Sequence, residues 1–180
     1  SKEVEQLFTE QIHSWELAKE NYHALRGYRR QSKSIKQYKE GWSIYADAFP
    51  NPKRILSTAA QTDASSIQAR PCFLCQENRP AEQKAVNYKN YQILVNPYPI
   101  FEEHLTIAAI NHTPQSIATR FEDLIELTEN LKEYLFMYNG PECGASAPDH
   151  AHFQAAVKGE DLSALIWNDW HVSELFETGS

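Results

Sequence analysis

Two short patterns in this sequence combine residue types that bind metal ions or take part in catalysis. The first is Cys72-x-x-Cys75, and the second is His150-x-His152-x-Gln154. Side chains alternate between the two faces of a strand, so the second spacing would place its three polar side chains on one face. The residues between them would then face the core. The alternative for the two histidines is an ordinary polar strand face.

The Cys72-x-x-Cys75 spacing lets two thiolates reach one tetrahedral metal ion. A redox pair is the alternative, but thioredoxin-like motifs belong to a strand followed by a helix. Here the turn-forming residues Asn78, Arg79 and Pro80 follow at once, so the pattern favours zinc. A tetrahedral site needs two further ligands, which this spacing alone does not identify.

The segment that leads into the second pattern is rich in small and turn-forming residues. It contains Gly144, Ser146 and Pro148, which predict a loop. Successive backbone N–H groups in such a loop can surround an anion. The segment is therefore a candidate for phosphate contact.

The composition limits the class of protein. The chain has 180 residues and a net charge of −7, with 17 Lys and Arg against 24 Asp and Glu. This length suffices for one domain with a sizeable core, and the charge argues against nucleic-acid binding, which needs a basic surface. No apolar run approaches the roughly 20 residues that span a membrane. The three cysteines suit a reducing compartment, and we expect a cytoplasmic protein.

The N-terminal part of the chain has the pattern of a single helix. Apolar residues recur at helical spacing from about 2 to 26, which predicts one amphipathic helix that ends at Gly27. An arm packed on the domain is the favoured role, and a partner-binding face is the alternative. The basic stretch 28–39 predicts a solvated linker. We therefore expect a helical arm with its linker at 1–40 and a domain at 41–180.

The rest of the sequence predicts strands mixed with helices. Strands are predicted at 42–49, 54–57, 91–95, 105–110 and 152–157. Helices are predicted at 114–138, with Thr113 as N-cap, and at 161–167. We expect the last three strands in one antiparallel sheet with the long helix packed on it. The predicted fold class is α+β.

Several motifs together resemble the transferase branch of the histidine-triad superfamily. That branch includes galactose-1-phosphate uridylyltransferases, dinucleoside polyphosphate phosphorylases and GDP-L-galactose phosphorylases, and the sequence is most similar to bacterial members of uncharacterised function. The similarity runs from about 51 to 157. It includes NPKR (51–54), PCFLC (71–75), NR (78–79), VNPYP (95–99), EHLTI (103–107), NH (111–112) and GASAPDHAHFQ (144–154). The specific parts are PCFLC and H-x-H-x-Q, in the family's order and distance.

The resemblance implies an antiparallel histidine-triad-like sheet and a role in nucleotide chemistry for matching residues. His152 matches the nucleophile that accepts a nucleoside monophosphate, and Gln154 matches the glutamine that hydrogen-bonds the transferred phosphoryl group. The loop along the phosphates is matched by Gly144, Ala145 and Ser146. Asn96 falls where the family's strand end contacts the nucleoside.

The resemblance also implies a structural zinc site. The family's four zinc ligands are matched by Cys72, Cys75, His112 and His150. Two cysteines and two histidines fill a tetrahedral shell and leave no position for substrate. Cys143 could compete for a ligand position, but we expect it to be a small buried side chain.

The implied activity is nucleotidyl transfer or phosphorolysis through a covalent nucleotidyl-histidine. The substrate would be a nucleoside diphosphate-sugar or a dinucleoside polyphosphate. The amide of Gln154 cannot titrate, which favours transfer to phosphate or a sugar phosphate over hydrolysis. The alternative is a zinc-stabilised nucleotide-binding domain without turnover. The sequence leaves open whether the protein forms a homodimer.

Two departures from the uridylyltransferase pattern matter. Asp149 is an extra residue between Pro148 and His150, a spacing that the GDP-hexose phosphorylases share, and it argues against a uridylyltransferase. Members of the family also continue into a second half, which we expect to be absent from this sequence.

Overall fold

The computed structural model of the chain describes residues 1–29, 33–39, 42–48, 50–52 and 63–158. This part contains a five-stranded antiparallel sheet, a two-stranded sheet and several helices, which confirms the predicted α+β class. The strand predicted at 54–57 and the helix predicted at 161–167 lie outside the described residues. None of the described helices has the length and apolar character that crossing a bilayer requires.

The N-terminal segment forms two helices, α1 (Lys2–Ser14) and α2 (Glu16–Arg29), instead of the single predicted helix. The break lies at Trp15, whose φ of −106° and ψ of 104° are extended. Trp15 is buried, which indicates that packing of its side chain overrides the local preference for a continuous helix. The prediction that Gly27 ends the helix is also wrong, because Gly27 lies inside α2.

A β-hairpin follows the two helices. β1 (Lys33–Lys39) pairs antiparallel with β2 (Trp42–Ala48). The strand predicted at 42–49 is therefore confirmed, and the linker predicted at 28–39 is wrong over β1. Antiparallel pairing with β2 satisfies the backbone of a strand that the polar composition of β1 does not predict. The short helix α3 (Ala64–Ala69) then precedes the Cys72-x-x-Cys75 segment.

The five-stranded sheet has the order β3–β4–β5–β7–β6 and is antiparallel throughout. Its strands are β3 (Ala85–Tyr88), β4 (Tyr91–Val95), β5 (His104–Ala109), β6 (Tyr134–Met137) and β7 (His152–Val157). The antiparallel arrangement predicted for the segments 91–95, 105–110 and 152–157 is confirmed. Because β7 lies between β5 and β6, the segment with His152 and Gln154 is an interior strand.

Helix α4 (Phe121–Asn130) is much shorter than the helix predicted for 114–138. The end of the predicted helix instead forms β6, which pairs with β7. The sequence YLFM of β6 has high β propensity, and its pairing satisfies one side of β7. Leu127 of α4 packs in the core beneath the sheet, so the prediction of a helix packed on the sheet holds for the shorter element.

Two apolar clusters lie on opposite faces of the sheet. The larger contains Ile93 of β4 and Phe153 of β7, together with residues of α1, α2 and α4. The smaller contains Cys72, Leu74, Leu94, Ala108 and Ala147. Since Ile93 and Leu94 are neighbours in one strand, they point to opposite faces. The smaller cluster therefore marks the sheet face that carries the candidate site.

Candidate functional site

His152 and Gln154 share the face of β7 that the smaller cluster marks. Ala108 of that cluster, in β5, pairs with His152 in the neighbouring strand β7. Phe153, between His152 and Gln154, belongs to the larger cluster. His150 lies outside β7, which begins at His152. The predicted shared strand face therefore holds for His152 and Gln154 but is wrong for His150.

A cavity of about 400 Å³ lies over this face. This volume is in the range of about 300–1,000 Å³ that is common for small-molecule sites. The polar residues of its lining include Arg70, Asn96, Ser146, His152 and Gln154. Of the loop residues 144–146, Ser146 alone belongs to the lining. Ala145 is buried, and Gly144 has a φ of +88°, a backbone conformation that favours glycine.

The ring of His152 is almost fully buried and has a fixed proton position. Its Nδ1 lies 2.8 Å from the carbonyl oxygen of His150. A carbonyl only accepts, so Nδ1 donates and Nε2 keeps the lone pair. Burial lowers the pKa of the His152 imidazole, an effect that the hydrogen bond to the His150 carbonyl partly offsets. The ring is therefore neutral near pH 7.

The backbone of His152 is held by the side chain of Gln115, which sequence reasoning missed. Gln115 Oε1 accepts the His152 N–H at 2.8 Å, and its Nε2 donates to the His152 carbonyl at 2.9 Å. The same Nε2 donates to the carbonyl of Asn139 at 2.9 Å. The pairing of β6 with β7 reaches only Met137 opposite Gln154, so the Gln115 amide takes the place of a neighbouring strand at His152. No local sequence pattern distinguishes such a glutamine.

Gln154 is oriented by His104, which is fully buried. The Nδ1 atom of His104 accepts the N–H of Ile100 at 3.4 Å, so Nε2 carries the proton. This Nε2–H donates to Gln154 Oε1 at 2.8 Å. Because the oxygen of the amide accepts from His104, the NH₂ group of Gln154 is the end that can donate to a ligand.

Arg70 adds a positive charge to the cavity and was also missed by sequence reasoning. Its guanidinium donates to the carbonyl of Ser146 at 2.9 Å and lies 5.0 Å from the centre of the Phe73 ring. Asp149 lies 3.7 Å from this guanidinium and 3.7 Å from Nε2 of His112. Asp149 therefore lies close both to Arg70 in the cavity lining and to His112. The only signal for Arg70 was its position directly before the PCFLC motif.

Asn96 lines the cavity, but two of its hydrogen-bonding positions are used inside the protein. Its Nδ2 donates to Thr106 Oγ1 at 3.1 Å, and its Oδ1 accepts the N–H of Tyr98 at 2.9 Å. These bonds fix the turn after β4. The nucleoside contact predicted for Asn96 would have to use the second N–H of the amide.

The four residues matched to zinc ligands come together from three segments of the chain. The ligand atoms of Cys72, Cys75, His112 and His150 all lie within 4.8 Å of one another. The Sγ of Cys72 is 3.3 Å from His150 Nδ1, and the Sγ of Cys75 is 3.2 Å from His112 Nδ1. Tetrahedral zinc, with bonds of about 2.0–2.3 Å, holds its ligand atoms about 3.3–3.8 Å apart. The cluster has the donor types of a zinc site, and these two thiol–imidazole distances are close to the separation of zinc ligands.

The surroundings of the cluster orient its imidazoles and determine the protonation of its thiols. His150 Nε2 donates to the carbonyl of Ala109 at 2.8 Å, which leaves Nδ1 with its lone pair directed at the thiols, as in many metal sites. Burial, with Cys72 adding to it, raises the pKa of the Cys75 thiol to about 11, so a metal must displace this proton.

Cys143 lies outside the cluster and is exposed, and the expectation that it is buried is wrong.

Comparison with known proteins gives two matches. The first is a family described as "Domain of unknown function (DUF4922)", which matches residues 7–157. The second is a galactose-1-phosphate uridylyltransferase of Halalkalibacterium halodurans, 31% identical over 121 residues that cover 58% of this chain and 23% of that protein. The chain thus matches less than a quarter of the length of this relative. This distant similarity supports a relation to uridylyltransferase-like proteins.

No solved structure matches the chain significantly. The family match begins within α1 and ends at the last residue of β7. It therefore includes the N-terminal helices, the sheet, the cavity and the cysteine–histidine cluster. Because this match covers most of the sequence, the chain belongs to the DUF4922 family, a domain family of unknown function.

Proposed function

We propose that this protein is a nucleotidyltransferase or phosphorylase that forms a covalent nucleotidyl-histidine at His152. The observation that carries the proposal is the state of the His152 ring in the cavity. Its Nδ1–H is committed to the His150 carbonyl at 2.8 Å, so the lone pair is on Nε2. A neutral imidazole with a defined lone pair is a competent nucleophile towards phosphorus. The similarity to a galactose-1-phosphate uridylyltransferase supports the same class of reaction.

In the first step, Nε2 of His152 attacks the α-phosphorus of a nucleoside diphosphate-sugar or a dinucleoside polyphosphate. A phosphorus–nitrogen bond forms while the bond from phosphorus to the bridging oxygen breaks. The leaving phosphate keeps the electron pair of that bond. The positive charge that develops on the ring is stabilised by the His150 carbonyl, which accepts the Nδ1–H at 2.8 Å.

The negative charge on the transferred group needs fixed donors. The NH₂ group of Gln154 is one candidate, because His104 holds the amide oxygen at 2.8 Å. The guanidinium of Arg70 is a second, since it lines the same cavity and is held by the Ser146 carbonyl at 2.9 Å. Backbone N–H groups of the loop 144–146 are further candidates for phosphate contact. Asn96 would contact the nucleoside.

In the second step, an oxygen of phosphate or of a sugar phosphate attacks the same phosphorus. The phosphorus–nitrogen bond breaks, and His152 regains its lone pair. Gln154 cannot act as a general base for water, because an amide does not titrate in this range. This chemistry favours transfer to a phosphorylated acceptor over hydrolysis.

The metal assigned to Cys72, Cys75, His112 and His150 would be a structural zinc. When bound, it would link the PCFLC segment, the segment after β5 and the loop before β7. Because these four side chains would fill a tetrahedral shell, such a zinc would have no open position for substrate. The residues of the cavity carry the reaction in this proposal.

Initial rates over a panel of nucleotide sugars and dinucleoside polyphosphates test the proposal, with phosphate or a sugar phosphate as acceptor. We expect ping-pong kinetics with at least one donor and loss of activity in His152→Ala. Intersecting kinetics that require both substrates at once would contradict the covalent mechanism. Nucleotide binding without turnover of any donor would favour the zinc-stabilised binding domain instead.

A further inference from the structure

Two exposed apolar side chains from separate segments lie at the same cavity. Leu17 of α2 is 38% exposed and Phe73 of the PCFLC segment is 42% exposed. Both line the cavity, together with the buried Trp15 at the break between α1 and α2. Large apolar side chains that remain exposed around one cavity are typical of a ligand site.

We infer that Trp15, at the break between the N-terminal helices, and Leu17 of α2 form the wall that contacts the base of the nucleotide and are the specificity-determining residues. This inference rests on the proposed function, because it uses His152 as the position of the phosphorus. It assigns the junction of α1 and α2 a direct role in substrate selection, beyond that of an arm packed on the domain.

The sheet register gives the distance between Gln154 and the side of the cavity at β4. Leu94 of β4 lies opposite Thr106 of β5, which lies opposite Gln154 of β7. Neighbouring strands are about 4.8 Å apart, so Leu94 lies roughly 10 Å from Gln154 across the sheet. A nucleotide with its phosphorus at His152 would extend its ribose and base across these strands towards β4.

The N-terminal helices approach the cavity from the β4 side and hold its rim. Gln11 of α1 donates to the carbonyl of Glu82 and accepts the N–H of Lys84, each at 2.9 Å. These two residues flank Gln83, which lines the cavity. Asn21 of α2 donates to the carbonyl of Pro97, another lining residue, at 2.8 Å. The helices are therefore fixed to the β4 side of the cavity at two points.

The break at Trp15 lies between these two anchors. An extended residue at this point lets α1 and α2 each keep their own contacts, and it places Trp15 and Leu17 in the cavity wall. The adjoining apolar lining includes Leu74, Leu94 and Pro97. These side chains offer dispersion contacts to a flat aromatic ring, and Gln83 and Asn96 of the same lining offer polar groups to its edge.

The test compares nucleoside monophosphates with ribose 5-phosphate, which has the phosphate and the ribose but no base. Dissociation constants for UMP, GMP, AMP and ribose 5-phosphate are measured by calorimetry on wild type, Leu17→Ser and Trp15→Phe. The control is His23→Ser, which changes an exposed residue of the same helix outside the cavity lining. Thermal unfolding of each variant establishes that it is folded.

We expect Leu17→Ser to weaken binding of the best nucleoside monophosphate on the order of tenfold, because the base loses apolar contact area. Binding of ribose 5-phosphate should change less than about twofold by the same reasoning. Trp15→Phe should change the ranking of the three nucleotides, and His23→Ser should change nothing. Equal weakening of ribose 5-phosphate and nucleotides, or unchanged nucleotide affinity in Leu17→Ser and Trp15→Phe, would overturn the inference.

The same variants separate this inference from the proposed function. If Leu17→Ser and Trp15→Phe bind nucleotides as wild type does while His152 still forms its adduct, the assignment of Trp15 and Leu17 to base contact is wrong and the proposed function stands. If wild type binds none of the three nucleoside monophosphates and forms no adduct, both fail.

Discussion

The Nδ1 atom of His152 lies 2.8 Å from the carbonyl oxygen of His150. His150 belongs to the cysteine–histidine cluster, and His152 lines the cavity. One hydrogen bond over two residues therefore connects the candidate metal site with the candidate nucleophile. Anything that shifts the backbone at His150 should also change the direction of the His152 ring.

The cysteine–histidine cluster should bind one zinc ion that stabilises the fold. We expect Cys72→Ser to lose the metal and to lower the unfolding midpoint by on the order of 10 °C, because three segments lose their common link. Elemental analysis of protein purified without chelator, together with thermal unfolding, measures both effects. The control is Cys143→Ser, since Cys143 is exposed and outside the cluster. Less than about half an equivalent of zinc in wild type, with an unchanged midpoint in Cys72→Ser, would contradict the site.

Gln115 should be a positioning residue for His152. Gln115→Met keeps the length of the side chain but removes the hydrogen bonds to the His152 N–H and carbonyl at 2.8 and 2.9 Å. We expect formation of the nucleotidyl adduct to slow by more than about tenfold, while nucleotide affinity changes less than about threefold. The free energy of unfolding should also fall, by about 1–3 kcal/mol for each buried backbone group left unpaired.

Single-turnover adduct formation and equilibrium nucleotide binding separate the two effects of Gln115→Met. The matched control is Gln6→Met, which changes an exposed glutamine of α1 that donates to Glu10. A variant that loses stability but forms the adduct at the wild-type rate would assign Gln115 a purely structural role.

His104 and Gln154 should act as one unit in holding the transferred phosphoryl group. Gln154→Met removes the amide donors, and we expect a rate loss of about 10²-fold, as for other donors to a developing charge. His104→Phe removes the 2.8 Å bond that orients the amide, and we expect a smaller loss, of about tenfold.

A double-variant cycle tests the coupling between these two residues. If His104 acts only through Gln154, adding His104→Phe to Gln154→Met should slow the reaction no further. Initial rates with saturating donor and acceptor provide the comparison, and thermal unfolding of each variant provides the folding control. Losses that multiply in the double variant would indicate that His104 acts independently of Gln154.

The sequence predicted the parts of the site that depend on spacing within one element or on a recognised motif. The α+β class and the strands at β4, β5 and β7 follow from local apolar patterns, and the alternation from His152 to Gln154 follows from strand geometry. The gathering of Cys72, Cys75, His112 and His150 was implied by the motifs. His150 itself lies before the strand, because the loop continues to that residue.

The parts that sequence reasoning missed depend on contacts between distant segments. The helix breaks at Trp15 because its side chain packs in the core. The last part of the segment predicted as a helix at 114–138 is the strand β6, because it pairs with β7. Gln115 and Arg70 acquire their roles from partners 37 and 76 residues away. Local patterns contain no information about such partners.

The most direct test of the central claim is the mass of the protein after incubation with candidate nucleotide donors and a mildly alkaline quench, which preserves the phosphorus–nitrogen bond. We predict that wild type gains the mass of one nucleoside monophosphate residue with at least one donor, and that peptide mapping locates it on His152. His152→Ala should gain none while keeping its fold, because it lacks the Nε2 lone pair that attacks the phosphorus. An adduct that persists in His152→Ala or maps to another residue would contradict the account.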